Sequence, residues 1–180
     1  MRRGVRLAVD VGTVRVGIAR SDPDGLLAVP ECTLTRSSDA PAPGGADLDR
    51  IVQLVADHQA NEVVVGLPLS LSGAQGPAAA AARGYAEALS RRVDVGVRLV
   101  DERLSTVTAT RSMREAGRKG RRVRPVIDQA AAVVILQAAL DAERASGRPP
   151  GVPVCPTGVE GDRGRSAGES GADGAEASPT

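Results

Sequence analysis

The run from Leu7 to Asp22, LAVDVGTVRVGIARSD, commits the start of the chain to an antiparallel pair of strands. Val5 to Val11 and Val16 to Ser21 are short apolar runs, and Gly12-Thr13-Val14-Arg15 between them reads as a hairpin connection. One residue breaks the pattern. Asp10 is a carboxylate inside an apolar strand, where a charge costs several kcal/mol unless it is paired, hydrogen-bonded or metal-bound. Two roles fit such an acid: a structural carboxylate satisfied at a strand end, or a ligand. Gly12 would let a phosphate or ion approach the backbone, and Thr13 and Arg15 add a hydroxyl and a cation.

The remainder of the chain fixes the fold class. Asp22-Pro23-Asp24-Gly25 is a turn, and Leu26 to Thr35 a third strand that Pro30 marks as an edge or a bulge. A Pro/Gly/Ala loop, Ser37 to Ala46, leads to a helix over residues 47–60, with Leu48, Ile51, Val52 and Val55 on one face, Asp47 at its cap and His58 inside it. Glu62 to Gly66 is β-branched and apolar, as in a buried parallel strand. A loop to Gly76, a helix from Pro77 to Arg92 and a fifth strand, Val95 to Val100, come next. Helices are expected over residues 105–116 and 126–145. A three-stranded meander followed by two strand–helix crossovers makes an α/β fold: a mixed five-stranded sheet with helices on both faces. The domain is expected to span residues 1–146. Residues 147–180, rich in Gly, Pro, Ala and acids, are expected to be a disordered tail.

Composition excludes several functions. With one Tyr and no Phe or Trp, the core must be Val, Leu, Ile and Ala, and bases cannot be gripped on aromatic platforms. The single histidine, His58, leaves no Ser-His-Asp triad or His-based zinc site to build. Cys32 and Cys155 form no CxxC pair and are expected to be free thiols in a reducing compartment. Met-Arg-Arg-Gly runs straight into a strand without a signal-peptide pattern, and no apolar stretch is long enough to span a membrane, so a cytoplasmic protein is expected. The net charge of +1 hides an asymmetry. From Gly151 onward there are five acids against two bases, which leaves residues 1–150 with 17 acids and 21 bases, about +4.

Ligands of such sheets bind beyond the C-terminal ends of the parallel strands. Asp10, the loop after Gly66 and Asp101-Glu102 should converge there. Asp101 and Glu102 point to opposite faces, so one can face the site while the other anchors the loop. Asp128 opens the last helix on the face of Ala132 and Ile135, either gaining from the helix dipole or projecting into the site. Three converging carboxylates repel one another, and a divalent cation relieves that. Oxygen ligands favour Mg²⁺ or Mn²⁺, one ion or two. The stretch Arg118-Lys119-Gly120-Arg121-Arg122-Val123-Arg124, just before Asp128, can form a phosphate-binding wall that positions a nucleic acid without reading its sequence.

Four stretches in order, spanning residues 5–145, resemble the YqgF/RuvX family of pre-16S rRNA nucleases and Holliday-junction-resolvase-like proteins. They are Ala8 to Gly17; Val65-Gly66-Leu67-Pro68-Leu69 with Gly73 and Gly76-Pro77; Asp101 to Thr106; and Ile127-Asp128 with Ala131-Ala132 and Ile135-Leu136-Gln137. The Ser37–Ala46 loop and the acidic tail depart from that pattern. The resemblance implies a ribonuclease H-like fold and a catalytic, metal-binding acidic triad that falls on Asp10, Glu102 and Asp128. It implies metal-assisted phosphodiester hydrolysis, with the 5′ end of precursor 16S rRNA as substrate and a DNA four-way junction as the competing one. Arg15, Arg103, Arg118, Lys119, Arg121, Arg122 and Arg124 would then hold the phosphate backbone, with Thr13, Ser105 and Thr106 as further hydrogen-bond donors. Structured RNA, branched DNA and ribosomal precursor particles are the expected partners of a monomer or homodimer. Two other classes share parts of the pattern. Actin-like ATPases and sugar kinases open on a similar Asp-x-Gly-Thr hairpin but need about twice this length, and a non-catalytic nucleic-acid-binding module would not need all three acids.

Overall fold

The computed structural model describes residues 2–37, 45–70, 76–102 and 124–155, with the side chains of residues 124–128 excepted. Its elements are β1 (Arg6–Val11), β2 (Arg15–Ser21), β3 (Ala28–Thr35), α1 (Ala46–Asp57), β4 (Glu62–Leu67), α2 (Pro77–Ser90), β5 (Gly96–Asp101), α3 (Arg124–Ser146) and β6 (Val152–Pro153). They build one mixed sheet in the order β3-β2-β1-β4-β5-β6. The first three strands form the expected antiparallel meander, and β1, β4 and β5 run parallel. The α/β fold class is as expected; the sheet has six strands rather than five. The helix expected over residues 105–116 and the basic stretch up to residue 123 lie outside the described residues.

Strand alternation sorts the sheet into two faces. Leu7, Val9 and Val11, with Val63, Val65, Leu67, Val97 and Leu99, face α1 and α2. Ala8, Ala19, Val64 and Val100 face α3 through Ala132, Ile135, Leu136, Ala139 and Leu140. Alanines on both sides of this second face, Ala8 and Ala19 on the strands and Ala132 and Ala139 on the helix, let α3 lie close against the sheet.

Local chemistry sets the connections. The Asp22 carboxylate accepts the Leu26 and Leu27 amides at 2.6 and 2.9 Å, closing the β2–β3 turn. These bonds hold its carboxyl below the ordinary aspartate value. The register between β2 and β3 shifts at Ile18/Ala19, opposite Pro30, so the proline sits at a bulge as its missing N–H requires. Helix α1 is capped by Gly45, not Asp47. Asp47 lies in the first turn and is turned away from capping: its two carboxylate oxygens accept the Ser37 hydroxyl at 2.8 Å and the Tyr85 hydroxyl at 3.0 Å. Burial and the adjacent Asp47 push the Tyr85 phenol well up. His58 closes α1 rather than lying inside it, with Nε2 3.2 Å from Glu31.

Helix α3 runs antiparallel to the parallel strands, and its last turns are pinned by charge. Glu143 is 1 % exposed, and its carboxylate accepts Arg2 at 2.9 Å and Arg6 at 3.1 Å. Arg6, also 1 % exposed, has Glu62 at 3.9 Å, and Glu62 in turn accepts Arg2 at 2.8 Å. The cluster occupies the N-terminal ends of β1 and β4. After Gly147, whose φ of 69° closes the helix, the chain returns along β5. Arg98 donates to the carbonyls of Pro150 and Gly151 at 2.5 and 2.9 Å, and the Val154 amide donates to Val97 at 2.9 Å. The sheet therefore takes in residues beyond 146. Cys32 and Cys155 are free thiols, as expected.

Candidate nucleic-acid and metal site

At the opposite, C-terminal end of the parallel strands, the α3 face is acidic. Asp10 is 2 % exposed and Glu102 is 5 % exposed. Asp10 lies opposite Gly17 of β2 and next in register to Gly66 of β4, because Val9 pairs with Val65. Glu102 follows β5, and its carboxylate lies over Gly66: a Cβ built there would sit 2.6 Å from Glu102 Oε1 and 2.7 Å from Ile135 Cδ1. Glu102 thus shares the Asp10 face, under α3. Asp101 pairs with Leu67, which faces α1 and α2, so alternation turns it to the other side of the sheet.

The expected third acid, Asp128, is in the first turns of α3, and its side chain lies outside the described residues. The helix register places position 128 two turns, about 10 Å, before Ile135 and on the same stripe, at the acidic end of the sheet. Arg124 opens the same helix, with its side chain likewise outside the described residues. Arg103, Ser105, Thr106, Arg118, Lys119, Arg121 and Arg122 all fall outside them.

The β1–β2 turn comes directly after Asp10. Gly12 donates to the Arg15 carbonyl at 2.9 Å, and a Cβ on Gly12 would come within 2.7 Å of that oxygen, so the tight turn needs glycine. Thr13 and Val14 stand exposed at the tip, and Arg15 is half-buried. Arg36, a residue the sequence pattern does not single out, clamps this turn. Its amide donates to Val14 at 2.9 Å and its guanidinium to the Gly12 carbonyl at 2.8 Å. Nothing in Thr35-Arg36-Ser37 marks such a role, since both acceptors are backbone atoms more than twenty residues away. Gly66 did carry a signal: a glycine inside a β-branched run marks a close approach.

Among the described residues no group of three His, Cys, Asp or Glu is placed to hold a metal ion. The described donors, Asp10 and Glu102, are oxygens only. Two buried carboxylates on one face, beside glycine backbone, fit a hard divalent cation of the Mg²⁺ or Mn²⁺ kind, and they fit no thiolate or imidazole site. No described helix is long and apolar enough to cross a membrane.

Comparison with known proteins places this architecture. A family model described as "RuvX: Holliday junction resolvase" matches residues 4–142. A relative from Thermobifida fusca named "Putative pre-16S rRNA nuclease" is 57% identical over 159 residues, 84% of this chain and 96% of the relative. One of the same name from Streptomyces coelicolor is 55% identical over 152 residues, 84% of this chain and 88% of the relative. Among solved structures, T. thermophilus RuvC in complex with Holliday junction substrate superposes with a TM-score of 0.55 at 16% identity, over 84% of this chain and 99% of that one. At that identity the likeness speaks for the ribonuclease H-like fold.

Proposed function

Because the chain belongs to the RuvX family of Holliday junction resolvases and is by that membership a nuclease, we propose that it is a metal-dependent endonuclease that trims the 5′ end of precursor 16S rRNA. One observation carries the reading. Asp10 and Glu102, from strands that are not neighbours, lie buried on one face of the sheet at the end where α/β folds bind ligands. A divalent cation bound there would relieve the repulsion between the two acids.

In this reading Asp10, Glu102 and Asp128 hold one or two Mg²⁺ or Mn²⁺ ions. When bound, the cation supplies an activated water and neutralises charge on the leaving 3′ oxygen. The chain's own residues do the rest. Arg15 and Arg103, with Arg118, Lys119, Arg121, Arg122 and Arg124, hold the phosphates on either side of the scissile bond. Thr13, Ser105 and Thr106 donate to phosphate or carboxylate oxygens. Arg36 keeps the Gly12–Arg15 turn closed, so Arg15 approaches the phosphate from a fixed position. Residues 1–150 carry about +4, which assists capture of a polyanion. The protein acts in the cytoplasm on ribosomal precursor particles, as a monomer or homodimer.

The test is incubation of the purified protein with Mn²⁺ or Mg²⁺ and end-labelled substrates: a precursor 16S 5′ segment, duplex RNA and a four-way DNA junction. Cutting of the precursor RNA is expected. Preferential cutting of the junction would make the protein a DNA resolvase, and tight binding of every substrate without cutting would make it a binding module. A rise in melting temperature with ATP would point to a nucleotide-binding protein instead.

A further inference from the structure

We propose that Gly66 is a positioning residue: it leaves β4 without a side chain at one point, so that the Glu102 carboxylate reaches across that strand toward Asp10. The inference rests on the proposed role of Asp10 and Glu102 as cation ligands and says how two acids so far apart in the sheet come to share an ion.

The geometry starts from strand order. β1 and β5 are separated by β4, so their backbones lie about 10 Å apart. Any ordinary side chain on β4 at this level would stand between them on the α3 face. The residue there is Gly66, next in register to Asp10 and opposite Val100, one residue short of the end of β4. Its backbone does not require glycine, since Gly66 is not among the residues with positive φ. What it lacks is space: a Cβ would lie 2.6 Å from Glu102 Oε1, 3.4 Å from its carboxyl carbon and 2.7 Å from Ile135 Cδ1. Glu102 Oε1 therefore occupies the volume a β4 side chain would fill, and Ile135 of α3 closes over it. Gly17, opposite Asp10 on β2, leaves the other flank of that acid equally low. The floor of the site is thus Gly17, Asp10 and Gly66 in a row, with Glu102 laid over the last.

Both crowded atoms are far ends of side chains. A methyl group at residue 66 is therefore expected to swing Glu102 aside rather than unfold the sheet. This separates a positioning role from a packing one, because the two crowded atoms can be relieved independently. Ile135→Val removes the Cδ1 contact and leaves the carboxylate contact.

The experiment compares wild type, Gly66→Ala, Gly66→Ala/Ile135→Val and Glu102→Gln by thermal melting, by calorimetric titration with Mn²⁺ alone, and by cleavage. Gly66→Ala should bind Mn²⁺ about 10- to 100-fold more weakly, as removal of ligand-orienting groups does. Adding Ile135→Val should recover melting temperature but not Mn²⁺ affinity. Recovery of wild-type affinity in that double variant would overturn the proposal and make Gly66 a clearance for α3. Glu102→Gln tests the underlying reading separately: if it binds Mn²⁺ and cuts like wild type, Glu102 is no ligand and both ideas fall. If neither Gly66 variant folds, adding Glu102→Ala to the double variant decides. Regained folding locates the clash at the carboxylate and supports the proposal, and continued failure refutes it.

Discussion

Removing the Glu143 side chain should destabilise the domain severely, although it lies at the far end of the sheet from the acids. Glu143→Ala leaves Arg6, 1 % exposed, with Glu62 at 3.9 Å as its remaining acidic neighbour. Arg2 counts for less, since 41% of its side chain stays in water. Breaking a buried ion pair by removing one partner costs about 3–5 kcal/mol. For a chain of this size each kcal/mol moves the melting temperature by about 2–4 °C, so a fall of roughly 6–20 °C is expected in a circular-dichroism melt. Arg6→Met/Glu143→Leu, which removes both charges together, should recover most of the loss. The pH dependence carries a sign. Burial pushes the Glu143 carboxyl up, but the hydrogen bonds from Arg2 and the charge of Arg6 outweigh it and hold it below the ordinary value. The folded value lies below the unfolded one, about 4.3. The stabilisation is therefore complete above that pH and drains away as the pH falls through the folded value. The gap between wild type and Glu143→Gln should stay constant from pH 7 to 5 and close below about 4.3. A loss under about 1 kcal/mol for Glu143→Ala, or a double variant no better than the single one, would refute the buried-charge argument.

Asp10→Asn should abolish cleavage while leaving the metal-free protein as stable as wild type or more so, because an amide removes repulsion with Glu102. Mn²⁺ should then raise the wild-type melting temperature more than the variant's, and equal rises would make Asp10 a structural acid. Neutralising Arg121, Arg122 and Arg124 together should weaken binding to RNA and DNA alike and flatten its salt dependence, read by titration at several ionic strengths; an unchanged salt slope would count against phosphate contacts. Ending the chain after Cys155 should leave the melting temperature within a degree or two. Ending it after Ser146 should lower it measurably, because β5 loses its edge neighbour β6 and Arg98 its two carbonyl acceptors.

What could be read from the sequence depended on how local the physics was. The meander, the parallel strands and the three described helices come from period and turn chemistry within a few residues. Asp10 announced itself as a charge in an apolar run. β6 gave no such sign: its two residues, Val152 and Pro153, sit in a Pro/Gly-rich stretch of poor strand propensity. Arg98, some fifty residues upstream, holds that stretch, and Gly151, with φ 65°, fits where a Cβ would meet the Leu99 carbonyl. The Arg6–Glu143 pair spans 137 positions and is equally invisible to pattern. Alternation alone left open which of Asp101 and Glu102 shares the Asp10 face. The crowding at Gly66 answers that, since it shows which carboxylate lies beneath α3.

The contact between Tyr85 and Asp47 gives this molecule a built-in optical reporter. With one Tyr and no Trp, intrinsic emission comes from a single ring, and that ring donates its hydroxyl to a carboxylate 3.0 Å away. A carboxylate acceptor quenches tyrosine emission, so the folded protein should be dim and should brighten as α1 and α2 part. The signal reads the α1–α2 side of the sheet, opposite the acidic face. Followed beside helix content during unfolding or substrate binding, it tells whether a disturbance at the site crosses the sheet or stops at it.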